Sequence, residues 1–130
     1  MDTIPESAPK DEGIRLLKAG QVSEAIAKFE QALAADPDDA QLHGYLGAAY
    51  SSASNKLHAI HHFEESLRLH ETPRTYYNLG LMYETVNRVD EAVRQYRMAL
   101  ELNPDYAPAQ EALKKLQDRY ESEHQVAESP

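Results

Sequence analysis

TYYNLGLMYETVNRVDEAVRQYRMALELNPD, Thr75 to Asp105, reads as two amphipathic helices joined by a short turn. Tyr76, Leu79, Gly80, Met82, Tyr83 and Val86 recur at helical spacing in its first half. Val89, Ala92, Val93, Tyr96, Ala99, Leu100 and Leu102 do so in its second. Asn87 falls where the first helix stops, and Asn tolerates the left-handed backbone that a helix end needs. Asp90 is placed to cap the second helix, and Asn103-Pro104 ends it, because a proline pushes its predecessor out of the α region. Small Gly80 and Ala92 mark where the two helices would cross closely.

The same pattern occurs twice more upstream. Gly13, Gly47 and Gly80 are spaced by 34 and 33 residues, and the sets Ala25, Ala59, Ala92; Phe29, Phe63, Tyr96; and Leu33, Leu67, Leu100 keep that spacing. One helix pair per 33 or 34 residues is the mark of a helical repeat, in which no pair buries its apolar face alone. The sequence resembles the tetratricopeptide repeat (TPR) family. The resemblance rests on Leu46-Gly47, Tyr50, Ala59 and Phe63, and on Leu79-Gly80, Tyr83, Ala92, Tyr96, Ala99 and Pro104. Gly13, Leu16, Ala25, Phe29, Ala32 and Pro37 match less fully. It implies an all-α, right-handed TPR solenoid of three helix-turn-helix repeats, about 10–39, 40–72 and 73–105, plus a capping helix at 106–120.

Composition bounds the rest. A chain of 130 residues is read as one domain, with disordered ends at 1–9 and 121–130. It has no cysteine, so disulfides and thiolate zinc sites are excluded. Nothing approaches the roughly 20 apolar residues of a membrane span, and the first residues do not read as a secretory signal. A cytoplasmic protein is the expectation. A net charge of −9 argues against binding nucleic acid or an anionic membrane.

Along the chain, Pro5 and Pro9 are expected to block an early helix, so the first helix runs from about Lys10 to Ala19. Glu12 and Arg15 stand where later repeats have Leu and Ala or Met, as suits an outer helix with one face in water. Gly20 closes that helix and Ser23 caps the next. Asp38 with Gln41 resembles a capping box. The middle repeat has no turn glycine, and Asn55 is the candidate for its helix-ending residue. Ser66 replaces an alanine, and Thr72-Pro73 supplies a cap and a first-turn proline. In the last helix Ala109, Ala112, Leu113, Leu116 and Tyr120 are read as inward, and Lys114, Lys115, Gln117, Asp118 and Arg119 as outward.

The family geometry implies that the first helix of each repeat lines a concave groove holding an extended peptide or protein segment. On this chain the groove would present Lys10, Ile14, Leu17 and Lys18, then Gln41, Gly44, Tyr45, Ala48, Ser51 and Ser52, then Arg74, Tyr77, Asn78, Leu81 and Glu84. Tyrosines and aliphatics there suit a peptide with apolar side chains, and Arg74 and Asn78 suit its backbone or an acidic group. TPR domains that grip acidic chaperone tails use two lysines, two asparagines and an arginine. Lys10 and Arg74 keep the charge, but Ile14, Tyr45 and Asn78 depart from the set, so such a carboxylate clamp is not expected. An asparagine ladder is also absent, since only Asn78 holds that place.

His58 and His62 share a helix face and are weak metal candidates, but two imidazoles do not make a closed site. A solvated face is the preferred reading of His58, His61 and His62, with His43 and His70 near helix ends. No phosphate loop, nucleophile elbow or paired-carboxylate motif appears. The expectation is a non-catalytic, cofactor-free, metal-free adaptor with a protein or peptide partner, monomeric by preference. The alternative is a homo-oligomeric assembly module using stack ends or the convex face.

Overall fold

The computed structural model describes residues 8–128, and α-helices fill them. They are α1 (Pro9–Lys18), α2 (Val22–Ala35), α3 (Ala40–Ser52), α4 (Lys56–Leu69), α5 (Pro73–Thr85), α6 (Val89–Leu102) and α7 (Ala107–Glu128). There is no strand among the described residues, and no helix in them is long and apolar enough to cross a membrane. The helices form two compact units, one ending at Glu71 and carrying α1–α4, the other starting at Thr72 and carrying α5–α7. The sequence reading treated this span as a single domain.

Each helical hairpin is set by one contact. A Cβ on Gly13 would lie 2.6 Å from the Phe29 ring, and one on Gly47 2.5 Å from the Phe63 ring; on Gly80 it would strike the Tyr96 ring closer still. The missing side chain is therefore the seat for an aromatic ring from the second helix of the pair. Phe29, Phe63 and Tyr96 are all buried, each contributing roughly 1.5–3 kcal/mol of transfer free energy. Gly80 thus receives the Tyr96 ring, and Ala92 is fully buried.

The turns repeat as well. Gly20, Ser54 and Asn87 adopt φ of 80°, 60° and 61°. Each time the following amide reaches back across the helix end: Gln21 N–H to Leu16 O, Asn55 N–H to Tyr50 O and Arg88 N–H to Tyr83 O. The left-handed residue of the middle turn is Ser54, where Asn55 was expected. Asn55 instead caps α4, its Oδ1 accepting from the His58 amide. The other expected caps move similarly. Gln21 and Arg88 precede α2 and α6 without a side-chain cap, leaving Ser23 and Asp90 inside the first turn. Asp39, not Asp38, caps α3 by accepting from the Leu42 amide. Thr72 caps α5 as expected.

Pro9 begins α1 rather than blocking it, since a proline at the first helical position removes an amide that would have no partner anyway. Ser66, where the neighbouring repeats have alanine, donates its hydroxyl to the Ala40 carbonyl at 2.7 Å and ties α4 to the start of α3. In unit 2, α7 lies against α6 with Ala109, Ala112 and Leu116 buried. Tyr120 is 60% exposed rather than inward. The helix then continues to Glu128 through part of the expected disordered tail, because 121–128 hold no Gly or Pro and extending a formed helix costs little. Of the arm expected at 1–9, residues 1–7 lie outside the described span, as do residues 129–130.

Two glycine substitutions should therefore differ in sign. Gly47→Ala drives a methyl into the Phe63 ring and should lower stability by roughly 1–3 kcal/mol, the usual cost of overpacking. Gly44→Ala meets only Ser66 Oγ at 3.6 Å, so helix propensity should raise stability by about 0.5–1 kcal/mol. Urea titrations followed by circular dichroism check both, and equal effects would refute the ring-seat account.

Candidate functional site

The first helices carry the residues singled out in sequence, and each unit arranges its own. In unit 1, Lys10 Nζ is held on Asp39 Oδ2 at 2.7 Å. Burial pulls the Asp39 carboxyl upward, but the Lys10 hydrogen bond and the Leu42 amide outweigh it and hold it below the usual carboxylate range. Ile14 and Leu17 are half-buried against the cluster around Phe29, Leu42 and Leu46. Tyr45 stacks on Phe29 with centroids 5.6 Å apart and planes within 10°. Ala48 is partly covered and Gln41 exposed. This surface is an apolar flank with one aromatic, its Lys10 already engaged and Lys18 exposed.

In unit 2, Arg74 is exposed, while Tyr77, Asn78 and Leu81 are half-buried. Tyr77 leans on Tyr96 at 5.9 Å and meets Tyr106 edge-on at 6.1 Å. Burial, and to a lesser degree Tyr77, raise the Tyr106 phenol, with Arg74 opposing. Tyr77, Leu81 and Glu84 of α5 face Pro108, Glu111, Ala112 and Lys115 of α7 across a cleft of about 230 Å³. Glu84 accepts the Tyr96 hydroxyl and lies 3.5 Å from Arg119. Burial first, and the Glu84 carboxylate second, push the Tyr96 phenol far above its ordinary value. The cleft thus has an aromatic and aliphatic floor with charge of both signs at its rim.

The α7 wall was missed in sequence, where that helix served only as a cover. The signal was present: one more 33-residue step carries Asn78 onto Glu111 and Leu79 onto Ala112. α7 is therefore in register with the first helices.

The histidines also depart from expectation. His62 and His43 are both 6% exposed, so His62 does not belong to a solvated face. Its Nδ1 lies 3.0 Å from His43 Nδ1. His58 is exposed, with Nδ1 2.9 Å from Asn55 Oδ1. The Nδ1 atoms of both His62 and His58 are thus engaged, and no group of three or more candidate ligands occurs among the described residues. His43 holds the place that Tyr76 holds 33 residues later, already read as inward, so the register carried its burial too.

Comparisons with known proteins agree with this architecture. A family model described as tetratricopeptide repeat matches residues 73–106, and one described as TPR repeat matches residues 13–53. Human Superkiller complex protein 3 is 34% identical over 102 residues, 78% of this chain but 6% of that protein. The chain therefore spans a small fraction of that relative's length. Among solved structures, the first TPR of Spaghetti (RPAP3), bound to the HSP90 peptide SRMEEVD, superposes with a TM-score of 0.81 at 24% identity, covering 86% of this chain and 90% of that one. The second TPR domain of human RPAP3, in complex with the HSP70 peptide SGPTIEEVD, gives 0.79 at 22%, covering 85% and 92%.

The Tyr96–Glu84 hydrogen bond offers a direct test of the cleft's construction. Tyr96→Phe should cost about 1.5–3 kcal/mol, the worth of a hydrogen bond to a charged group, as measured by urea unfolding. A change within 0.5 kcal/mol, roughly that of a neutral surface substitution, would show that the pair does not brace α5 against α6.

Proposed function

We propose, because the chain belongs to the tetratricopeptide repeat family, that it is a non-catalytic adaptor binding an extended peptide or protein segment on the first-helix surfaces of its repeats. The residues assigned to contact are Gln41, Tyr45 and Ala48 with the apolar flank of Ile14 and Leu17 in unit 1, and Arg74, Tyr77, Asn78 and Leu81 in unit 2. The observation that carries this reading is the unit 2 cleft. Its apolar floor of Tyr77, Leu81 and Ala112, rimmed by Glu84, Glu111 and Lys115, suits one aliphatic or aromatic side chain of an extended segment. Its rim suits that segment's backbone. Two structures with the same fold hold short peptides, which supports a surface that takes an extended chain.

Those peptides are acidic at their ends, and here the reading diverges. Lys10 is neutralised by Asp39 at 2.7 Å, and Ile14 and Tyr45 offer no amide. The segment that fits is one with apolar side chains and little charge.

Selection from a random peptide display library on the full chain should enrich apolar extended sequences. Leu81→Ala should weaken an enriched peptide by about tenfold or more, about 1.4 kcal/mol, while Arg97→Ala on the exposed side of α6 leaves it unchanged. The HSP90 peptide SRMEEVD should show no saturable binding in the same titration. Enriched peptides indifferent to Leu81 would overturn the assignment, and saturable SRMEEVD binding would replace it with an acidic-tail receptor.

A further inference from the structure

The buried histidines of unit 1 are not used by the reading above, and their hydrogen bonds determine their protons. His43 Nε2 lies 2.9 Å from the Pro37 carbonyl oxygen, which can only accept. That nitrogen therefore carries the hydrogen. A neutral imidazole has one N–H, so His43 Nδ1 is bare and must accept across the 3.0 Å to His62 Nδ1. His62 is consequently the Nδ1–H tautomer, with a bare Nε2 lying 4.0 Å from Glu30 Oε1. One added proton fits, at His62 Nε2 beside Glu30. A second has no place, because it would set N–H against N–H between the rings.

We propose that the His43–His62 contact is an acid-weakened latch, which fastens α4 to α3 and to the α2–α3 turn while the buried His62 is neutral and loosens as the pair takes up protons. The cluster around it is built from every packed element. α2 supplies Glu30, which also accepts the Tyr50 hydroxyl at 2.9 Å. α3 supplies His43 and Tyr50, whose ring lies parallel to His62 at 5.5 Å. α4 supplies His58, His61 and Glu65, the last paired with Arg68 at 2.9 Å. α1 contributes Lys10, which is already held on Asp39. Burial first, then the neighbouring imidazoles His43, His61 and His58 against the opposing pull of Glu30, bring His62 down to about 4. The sign follows from this. Between the ordinary 6.5 and about 4 the unfolded chain binds the extra proton, so stability is complete above that window and is lost as pH falls through it.

Long-range proton–nitrogen correlation spectra of the full chain test the latch without any variant. At pH 7.5 His43 should be the Nε2–H tautomer and His62 the Nδ1–H tautomer, and His62 should still be neutral at pH 5.5. The opposite tautomers, or a His62 titrating at the ordinary 6.5, would overturn the proposal. The second measurement is urea unfolding read through the amide signals of α3 and α4. His62→Gln keeps a donor to His43 Nδ1 but cannot titrate. From pH 7 to pH 4.5 the unfolding constant of wild type should rise roughly 60-fold more than that of the variant. Parallel pH dependences would sink the idea. Should H62Q fail to fold, H43Q serves instead, since its amide can donate to Pro37 and accept from His62, and it should show the smaller rise.

Discussion

The structure depends on the fit of an aromatic ring into the space left by a glycine. Gly13, Gly47 and Gly80 sit in the middle of helices, where glycine costs about 1 kcal/mol relative to alanine. The cost is offset because Phe29, Phe63 and Tyr96 then lie directly on helix backbone and leave water. A close-packed interior makes this a discrete choice, since a single methyl at 2.5 Å from the Phe63 ring cannot be absorbed without moving the ring or the helix. The hairpin angle, the burial of Ala25, Ala59 and Ala92, and the position of each turn follow from it. α7 ends the series in the same terms: Leu113 occupies the place of Gly80 one period on, so that face offers no ring seat.

The turns show how little a repeat constrains beyond geometry. Gly20, Ser54 and Asn87 share one backbone conformation with three different side chains. Glycine enters it freely, asparagine with little penalty, and serine at a penalty of order 1 kcal/mol. What is preserved is the pair of backbone hydrogen bonds that close each first helix, worth more than the local strain. Side-chain caps on α3, α4 and α5 come from an aspartate, an asparagine and a threonine, and α2 and α6 have none. Capping is thus dispensable where the hairpin contact already holds the helix.

This division explains what could be read from the sequence. The repeat register, the helix pairs and the left-handed Gly20 and Asn87 were legible because packing positions recur. Ser23, Asp38 and Asp90 were misplaced as caps by one or two residues, since capping chemistry is satisfied by several neighbouring residues and only tertiary contacts select among them. Tyr120 was misread because its helical spacing continues the stripe of Ala109, Ala112 and Leu116 past the end of the partner helix. The burial of His43 and the alignment of Glu111 with Asn78 were within reach, by extending the 33-residue register to residues outside the signature. The His43–His62 pairing was not, because it depends on two ring orientations that no spacing encodes.

That pairing also separates the middle hairpin from its neighbours. Where α3 has His43, α5 has Tyr76, and where α4 has His62, α6 has Gln95, so the third hairpin has no counterpart of the imidazole pair. A buried imidazole pair is a poor means of stabilising a hairpin. Its hydrogen bond returns about what desolvating the rings costs, and an unpaired nitrogen is left beside Glu30. Ser66 departs from the repeat in the same hairpin and again adds a polar tie between α4 and α3. The middle hairpin is therefore fastened by two hydrogen bonds, His43 to His62 and Ser66 to the Ala40 carbonyl, where the third repeat has Tyr76, Gln95 and Ala99. Hydrogen bonds, unlike packing, respond to the protonation of their members, so the departures of the middle hairpin from the repeat put a buried imidazole pair where a proton acts on its closure.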